Sequence, residues 1–345
     1  MLDAARGVLL RAVTVGIGPS GLAVDGRTER VFVVNVGDKT VSVLDARSGH
    51  ILQTVGINGV PTAVAVDEVT DRAFVIGDDS FAGGDVSVLD ARTGDLLQVV
   101  PVRGDPSAVA VDAATSRIFV PGSIAGGTNV VSMLDARLGM VLRSVTVGRS
   151  PLAVVVDTRL RRVFVANYGG RSISTLDARS GRLLQTASVG NTPIALAVDE
   201  QTARVFVAGD YATVSTVSML DAVSSRLVHA AVVGRNPIAL AVDTASRRVL
   251  VAGAGVVGRG LGSVSVLDAG SGVVMRTIAM NGEPIAIAVD QRARRAFVAN
   301  MGATISVPDR WSWVPRWARR WLPLLTSPHQ PRTAPGSVSI FDTTR

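Results

Sequence analysis

Residues 19 to 57 read PSGLAVDGRTERVFVVNVGDKTVSVLDARSGHILQTVGI, and four short apolar runs stand out in them: GLAVD, RVFVVN, TVSVLDA and HILQTVGI. Val, Ile, Leu and Phe dominate these runs and turn-forming residues separate them, which predicts four strands. The same order returns seven times along the chain, each copy with a proline, an apolar run ending in VD, an arginine five residues on and a second apolar run. The anchoring aspartates are Asp25, Asp67, Asp112, Asp157, Asp199, Asp243 and Asp290, each with a proline six residues earlier. A second aspartate, after Leu or Phe, recurs at Asp3, Asp45, Asp90, Asp135, Asp177, Asp221, Asp268 and Asp342. Four short strands in a period of 42 to 47 residues describe one blade of a β-propeller. The expected fold is therefore all-β, a single seven-bladed β-propeller of four-stranded antiparallel blades over residues 1 to 345. The first strand of each unit alternates alanine with larger aliphatics, as in TAVAVD (62 to 67), which suits the crowded innermost position.

Spacing separates the two ends of the expected ring. From each LD or FD aspartate to the next VD aspartate is always 22 residues, and from each VD aspartate to the Asn or Gly ending the second strand is always 10. From that Asn or Gly to the next LD or FD aspartate the interval runs 10, 13, 13, 10, 12, 15 and finally 42. All length variation thus falls between second and third strands, on the face that also carries the crossovers between blades. One face is uniform and the other elaborated, as when a rigid scaffold carries function on its loops. The chain opens on MLDAARGVLLRAVTVG, read as the end of a third strand plus a fourth, and closes on GSVSIFDTTR, a third strand without its fourth. The N-terminal strand is expected to complete the last blade.

The final interval holds an insertion from Met301 to Gly336, which contains all four tryptophans, Trp311, Trp313, Trp317 and Trp321. It also has five arginines against one acid, a surplus of four in a chain whose net charge is +7. At about 100° per residue, Trp313, Trp317, Trp321 and Leu324 fall on one side of a helix, with Arg316, Arg319 and Arg320 on another. Pro315 suits the helix start and Pro323 limits it to about two turns. The sequence thus predicts a short amphipathic Trp/Arg helix within 308 to 328, marginal unless its tryptophans are buried. Its expected partners are the propeller itself, as a lid, a membrane surface, a partner protein or exposed nucleic acid.

The repeat, seen in VFVANYGGRSISTLDARSGRLLQTASVG (163 to 190) followed by PIALAVD, resembles the YVTN-type β-propeller repeat, and the chain is similar to YncE-like propeller proteins. The resemblance spans roughly residues 1 to 300 and 337 to 345. It implies a propeller fold, an exported or surface location of the kind some members have, and a fold likeness to lactonase-type propellers.

Candidate chemistry is sparse. With no cysteine there are no disulfides or thiolates, and His50, His229 and His329 show no metal-ligand spacing. Neither a G-x-S-x-G elbow nor a phosphate loop is present. GDDSFAGGD (77 to 85) gathers Asp78, Asp79 and Asp85 without the spacing of an EF-hand loop and reads as a solvated acidic turn. The VD aspartates each precede a turn and an arginine, and a device repeated in every blade reads as turn capping or ion pairing. Binding candidates are the asymmetric residues of the variable face: Asn167, Tyr168, Asp210, Tyr211, Trp313, Arg316, Trp317, Arg320 and Trp321. The expected function is a non-enzymatic binding or scaffold module, a monomer without cofactor or metal, that meets a protein or small ligand on that face. The alternative is a metal-dependent hydrolase of lactonase type. Uninterrupted apolar runs stay short of the roughly 18 residues that span a bilayer, and the N-terminus lacks signal-peptide features. The compartment stays open.

Overall fold

The structure, a computed structural model, describes residues 2–3, 11–79, 83–124, 127–211, 214–255, 262–280, 282–301 and 336–342. Among the described residues the chain forms seven sheets, antiparallel except for one short parallel pair, and no helix. In the first blade Pro19–Asp25 is innermost, followed outward by Arg30–Asn35, Thr40–Asp45 and Ile51–Gly56. The innermost strands of successive blades pack side by side around the ring, and Glu283–Asp290 of the seventh meets Pro19–Asp25 of the first. The third blade departs slightly: its inner strand is split into Asp105–Pro106 and Ala110–Asp112.

The blades are glued by apolar side chains of their second and third strands. The residue seven after each VD aspartate, namely Phe32, Phe74, Phe119, Phe164, Phe206, Leu250 and Phe297, is almost wholly buried. Each such residue packs against the neighbouring blade: Phe32 joins Val75 and Leu89, and Phe164 joins Leu196 and Val207. Complete burial of one such side chain contributes on the order of 1.5–3 kcal/mol. The outer strands repeat a second contact. Gln98 donates to the carbonyl of Gly139 at 3.3 Å, Arg143 to that of Ser180 at 2.6 Å, and Gln185 to the hydroxyl of Ser225 at 2.7 Å, each in the following blade.

Closure follows the expected route. Arg11–Thr14 pairs antiparallel with Ser337–Asp342, with Val13 opposite Val338, so the N-terminal strand completes the seventh blade. The reading of MLD as the end of a third strand changes in one respect. Residues 337 to 342 supply that whole strand, and Leu2–Asp3 runs parallel beside its end, Leu2 opposite Phe341. Phe297 and Val338 of the last blade then pack with Val31, Val33 and Leu44 of the first, closing the ring as any other pair of blades is joined. The strands flanking the insertion keep their register, with Asn300 opposite Ser337. The Trp/Arg helix expected within 308 to 328 lies outside the described residues.

Two outcomes check this architecture. Gly336 sits where a Cβ would overlap Cδ of Pro19, whereas a Cβ at Gly56 meets nothing within 4 Å. Gly336→Val should therefore cost about 1–3 kcal/mol in urea denaturation, and Gly56→Val should cost far less. Deleting residues 308 to 335 should leave the strand circular dichroism and the cooperative melt in place, because the strands on either side are paired with each other and a change in the length of a connection alters closure entropy only modestly.

Candidate binding site at the variable face

The uniform face accounts for most of the acidic side chains. Each VD aspartate is at most 2% exposed, and its carboxylate accepts backbone N–H bonds from the turn that follows. Asp25 takes those of Arg27 and Thr28 at 2.9 and 3.0 Å, and Asp290 takes those of Arg292 and Ala293 at 2.9 Å. In four blades a hydroxyl three residues on donates to the second carboxylate oxygen: Thr70, Thr115, Thr202 and Ser246. Turn capping is thus the role of these aspartates, and the ion pairs belong elsewhere. Arg30, Arg117 and Arg204 pair with the LD aspartates Asp45, Asp135 and Asp221 of their own blades. Arg72, Arg162 and Arg295 instead reach carbonyls of the next blade, at Ala136, Ala222 and Ala46.

Blade four shows what the hydroxyl contributes. Leu160 stands where Thr202 stands in blade five, and Asp157 Oδ2 is buried without a hydrogen-bond partner. Burial, aided by the charge of Glu200, pushes the Asp157 carboxyl above its ordinary value. The LD aspartates behave oppositely. Ser180 hydrogen bonds hold Asp177 below the usual carboxylate range, and the N–H and hydroxyl of Ser271 do the same for Asp268. At Asp45 burial opposes ionisation, yet the bonds from Ser48 and Arg47 outweigh it.

A repeated serine escaped the reading of the sequence. Three residues before each LD or FD aspartate other than Asp3 stands Ser42, Ser87, Ser132, Ser174, Ser218, Ser265 or Ser339, each at most 5% exposed. Asn35, Asn167 and Asn300 donate their amides to the serines of their blades at 2.9 Å. Asn167 also donates to Ser172 at 3.1 Å, so its side-chain N–H groups are spent inside the blade.

The asymmetry lies at the mouth of the ring, one residue into each inner strand. Between the proline and the Gly or Ala two residues later the pairing slips, as from Pro151 opposite Asn167 to Ala153 opposite Ala166, which leaves Leu152 as a bulge. The same slip occurs in blades one, two, five, six and seven. Bulges re-aim a side chain out of its sheet. The bulged residues are Ser20 and Thr62 in the first two blades, with Ser107 at the matching place in the third, and Leu152, Ile194, Ile238 and Ile285 in the other four. Ser20 and Ser107 donate to inner-strand carbonyls of the next blade, at Thr62 (3.2 Å) and Pro151 (2.8 Å). The four aliphatics are half-buried and stand outside the inter-blade cores. One arc of the mouth is hydroxyl-lined and the other aliphatic.

Tyr168 is half-buried on this face, its N–H bonded to the carbonyl of Ser150 at 2.9 Å. The backbones of Asp210 and Tyr211 pair with Ser215 and Val214, while their side chains lie outside the described residues, as do Trp313, Arg316, Trp317, Arg320 and Trp321. Among the described residues no three His, Asp or Glu side chains converge as metal ligands would, and no helix is long and apolar enough to cross a membrane.

A solved structure from the hydrazine synthase of Kuenenia stuttgartiensis is similar in fold, with a TM-score of 0.69 and 16% identity, covering 84% of this chain and 94% of that one. No family model matches the chain, and no curated protein matches it.

Thr202→Val tests the capping hydroxyl. It leaves Asp199 Oδ2 as bare as Asp157 Oδ2, and should cost about 1–2 kcal/mol at neutral pH. The depressed LD aspartates contribute stability above their unfolded value of 3.8, and the parent protein should lose it as pH falls through their folded values. Urea midpoints between pH 2.5 and 7 for both proteins measure each effect.

Proposed function

We propose that this chain is a non-catalytic β-propeller of the YVTN-repeat kind that acts as a binding scaffold through its variable face. The observation that carries the reading is where the asymmetry falls. Every departure from seven-fold repetition of loop length, together with the change from hydroxyl to aliphatic bulges, is on one face. On the other face the recurring carboxylates and many arginines are committed to turns, to each other or to neighbouring blades. A rigid ring with one patterned face suits recognition by its loops. The repeat itself, as in VFVANYGGRSISTLDA (163 to 178), supports the family reading.

Paired variants test the proposal. Arg149→Glu with Arg235→Glu, on the variable face, should abolish capture of the natural partner from an extract of the source cell. Arg137→Glu with Arg179→Glu, on the uniform face, should leave it intact. Capture that fails only in the uniform-face pair would overturn the reading. So would turnover of lactones that chelation removes and a divalent metal restores.

A further inference from the structure

We infer that the mouth of the ring on the variable face is a site for a small amphipathic anion, a carboxylate carrying an aliphatic chain. This rests on the variable face being the recognition surface and names the class of ligand it takes. The aliphatic half is the bulge arc. Leu152, Ile194, Ile238 and Ile285 come from four consecutive blades, each at the same step of an inner strand and each half-buried without joining a core. Repetition alone does not require them, because Ser20, Thr62 and Ser107 occupy that step in the other three blades.

Three arginines fall on the aliphatic side. Arg149 lies in the crossover leading to Leu152, Arg171 in the loop of the same blade, and Arg235 in the crossover leading to Ile238. A backbone bond from Gly170 to the carbonyl of Arg149, 3.1 Å long, ties the first two segments together. All three arginines are exposed, and among the described residues none pairs with a carboxylate. Asp38 in blade one, Asp85 in blade two and Asp105 at the entry to blade three lie on the hydroxyl side, offset in part by Lys39 and Arg103, while Asp210 and Glu283 fall on the aliphatic side. Asp38 is engaged by the N–H of Ile17 at 2.6 Å. Exposed guanidinium groups on the same face as a half-buried aliphatic arc fit a ligand with a carboxylate at one end and a hydrocarbon at the other. A guanidinium binds a carboxylate through a two-pronged, charge-assisted fork, and the arc removes the chain from water. A long anion without a chain, or a chain without a charge, would use half of the site.

Calorimetric titration of the full chain with octanoate, octan-1-ol and acetate is the test. Octanoate should bind at a single saturable site, octan-1-ol at least about tenfold more weakly, corresponding to about 1.4 kcal/mol, and acetate not measurably. Arg149→Gln with Arg171→Gln should weaken octanoate about tenfold and leave octan-1-ol unchanged. Ile194→Ser with Ile238→Ser should weaken both, in protein whose melting temperature confirms folding. The outer strands expose other leucines, among them Leu96 at 45% and Leu97 at 50%, so Leu96→Ser with Leu97→Ser serves as the control and should change nothing. Absent octanoate binding, binding indifferent to the arginine pair, or several weak sites lost with the control would overturn the ligand class. The partner-capture experiment above decides the scaffold reading separately.

Discussion

A carboxylate buried at the end of each inner strand is the constraint on which the ring rests. The turn it caps places a left-handed residue just before the second strand, at Glu29, Asp71, Ser116, Arg161, Ala203, Arg247 and Arg294, with φ between 51° and 56°. None of these is glycine, and a left-handed conformation costs an L-residue roughly 1–2 kcal/mol. The Asp offsets that cost by accepting N–H groups that the turn would otherwise bury unpaired. Burying a charge is itself expensive, which is why one or two backbone donors, and in four blades a hydroxyl, converge on it. With the turn fixed, the second strand begins at the following arginine in every blade, and a slip of one residue would turn its Phe from the inter-blade core to the opposite face.

From that register the rest of the packing follows. The Phe or Leu seven residues on reaches the neighbouring blade, the third-strand serine comes to lie under the second-strand Asn or Gly, and the outer strand presents its Gln or Arg to the next blade's turn. Near the axis the uniform face adds a third link. Glu68, Glu200 and Gln291 each accept the first turn N–H of the blade before, from Gly26, Thr158 and Thr244. These links do not depend on chain connectivity, so the last blade can be assembled from both termini and still close as the others do.

A ring this repetitive leaves little freedom where its turns are locked. Freedom of length exists between second and third strands, where the interval to the next LD or FD aspartate is not shared from blade to blade. The bulge at the start of each inner strand belongs to that same face. In six blades it takes one side chain out of the strand pairing, so its identity can change from Ser to Ile without disturbing the strand pairs on either side. Side chains are therefore free to vary at the mouth while the body stays constant, and the exposed Arg149, Arg171 and Arg235 lie in the connections of that same face.

The blade count, the strand order, the closing N-terminal strand and the division into a uniform and a variable face were all determined by the sequence itself, because constant spacing between aspartates is a direct record of constant geometry. The structural role of the VD aspartates was legible for the same reason. Their partners were not: whether Arg72 meets Asp90 of its own blade or the Ala136 carbonyl of the next depends on how two blades sit together. The mouth was hidden for a related reason. Ser20 and Ile194 look like ordinary members of an apolar run, and only strand pairing shows that both are bulged out of it. The aliphatic arc, moreover, is built from residues 152, 194, 238 and 285, which linear distance separates and only closure of the ring brings onto one rim.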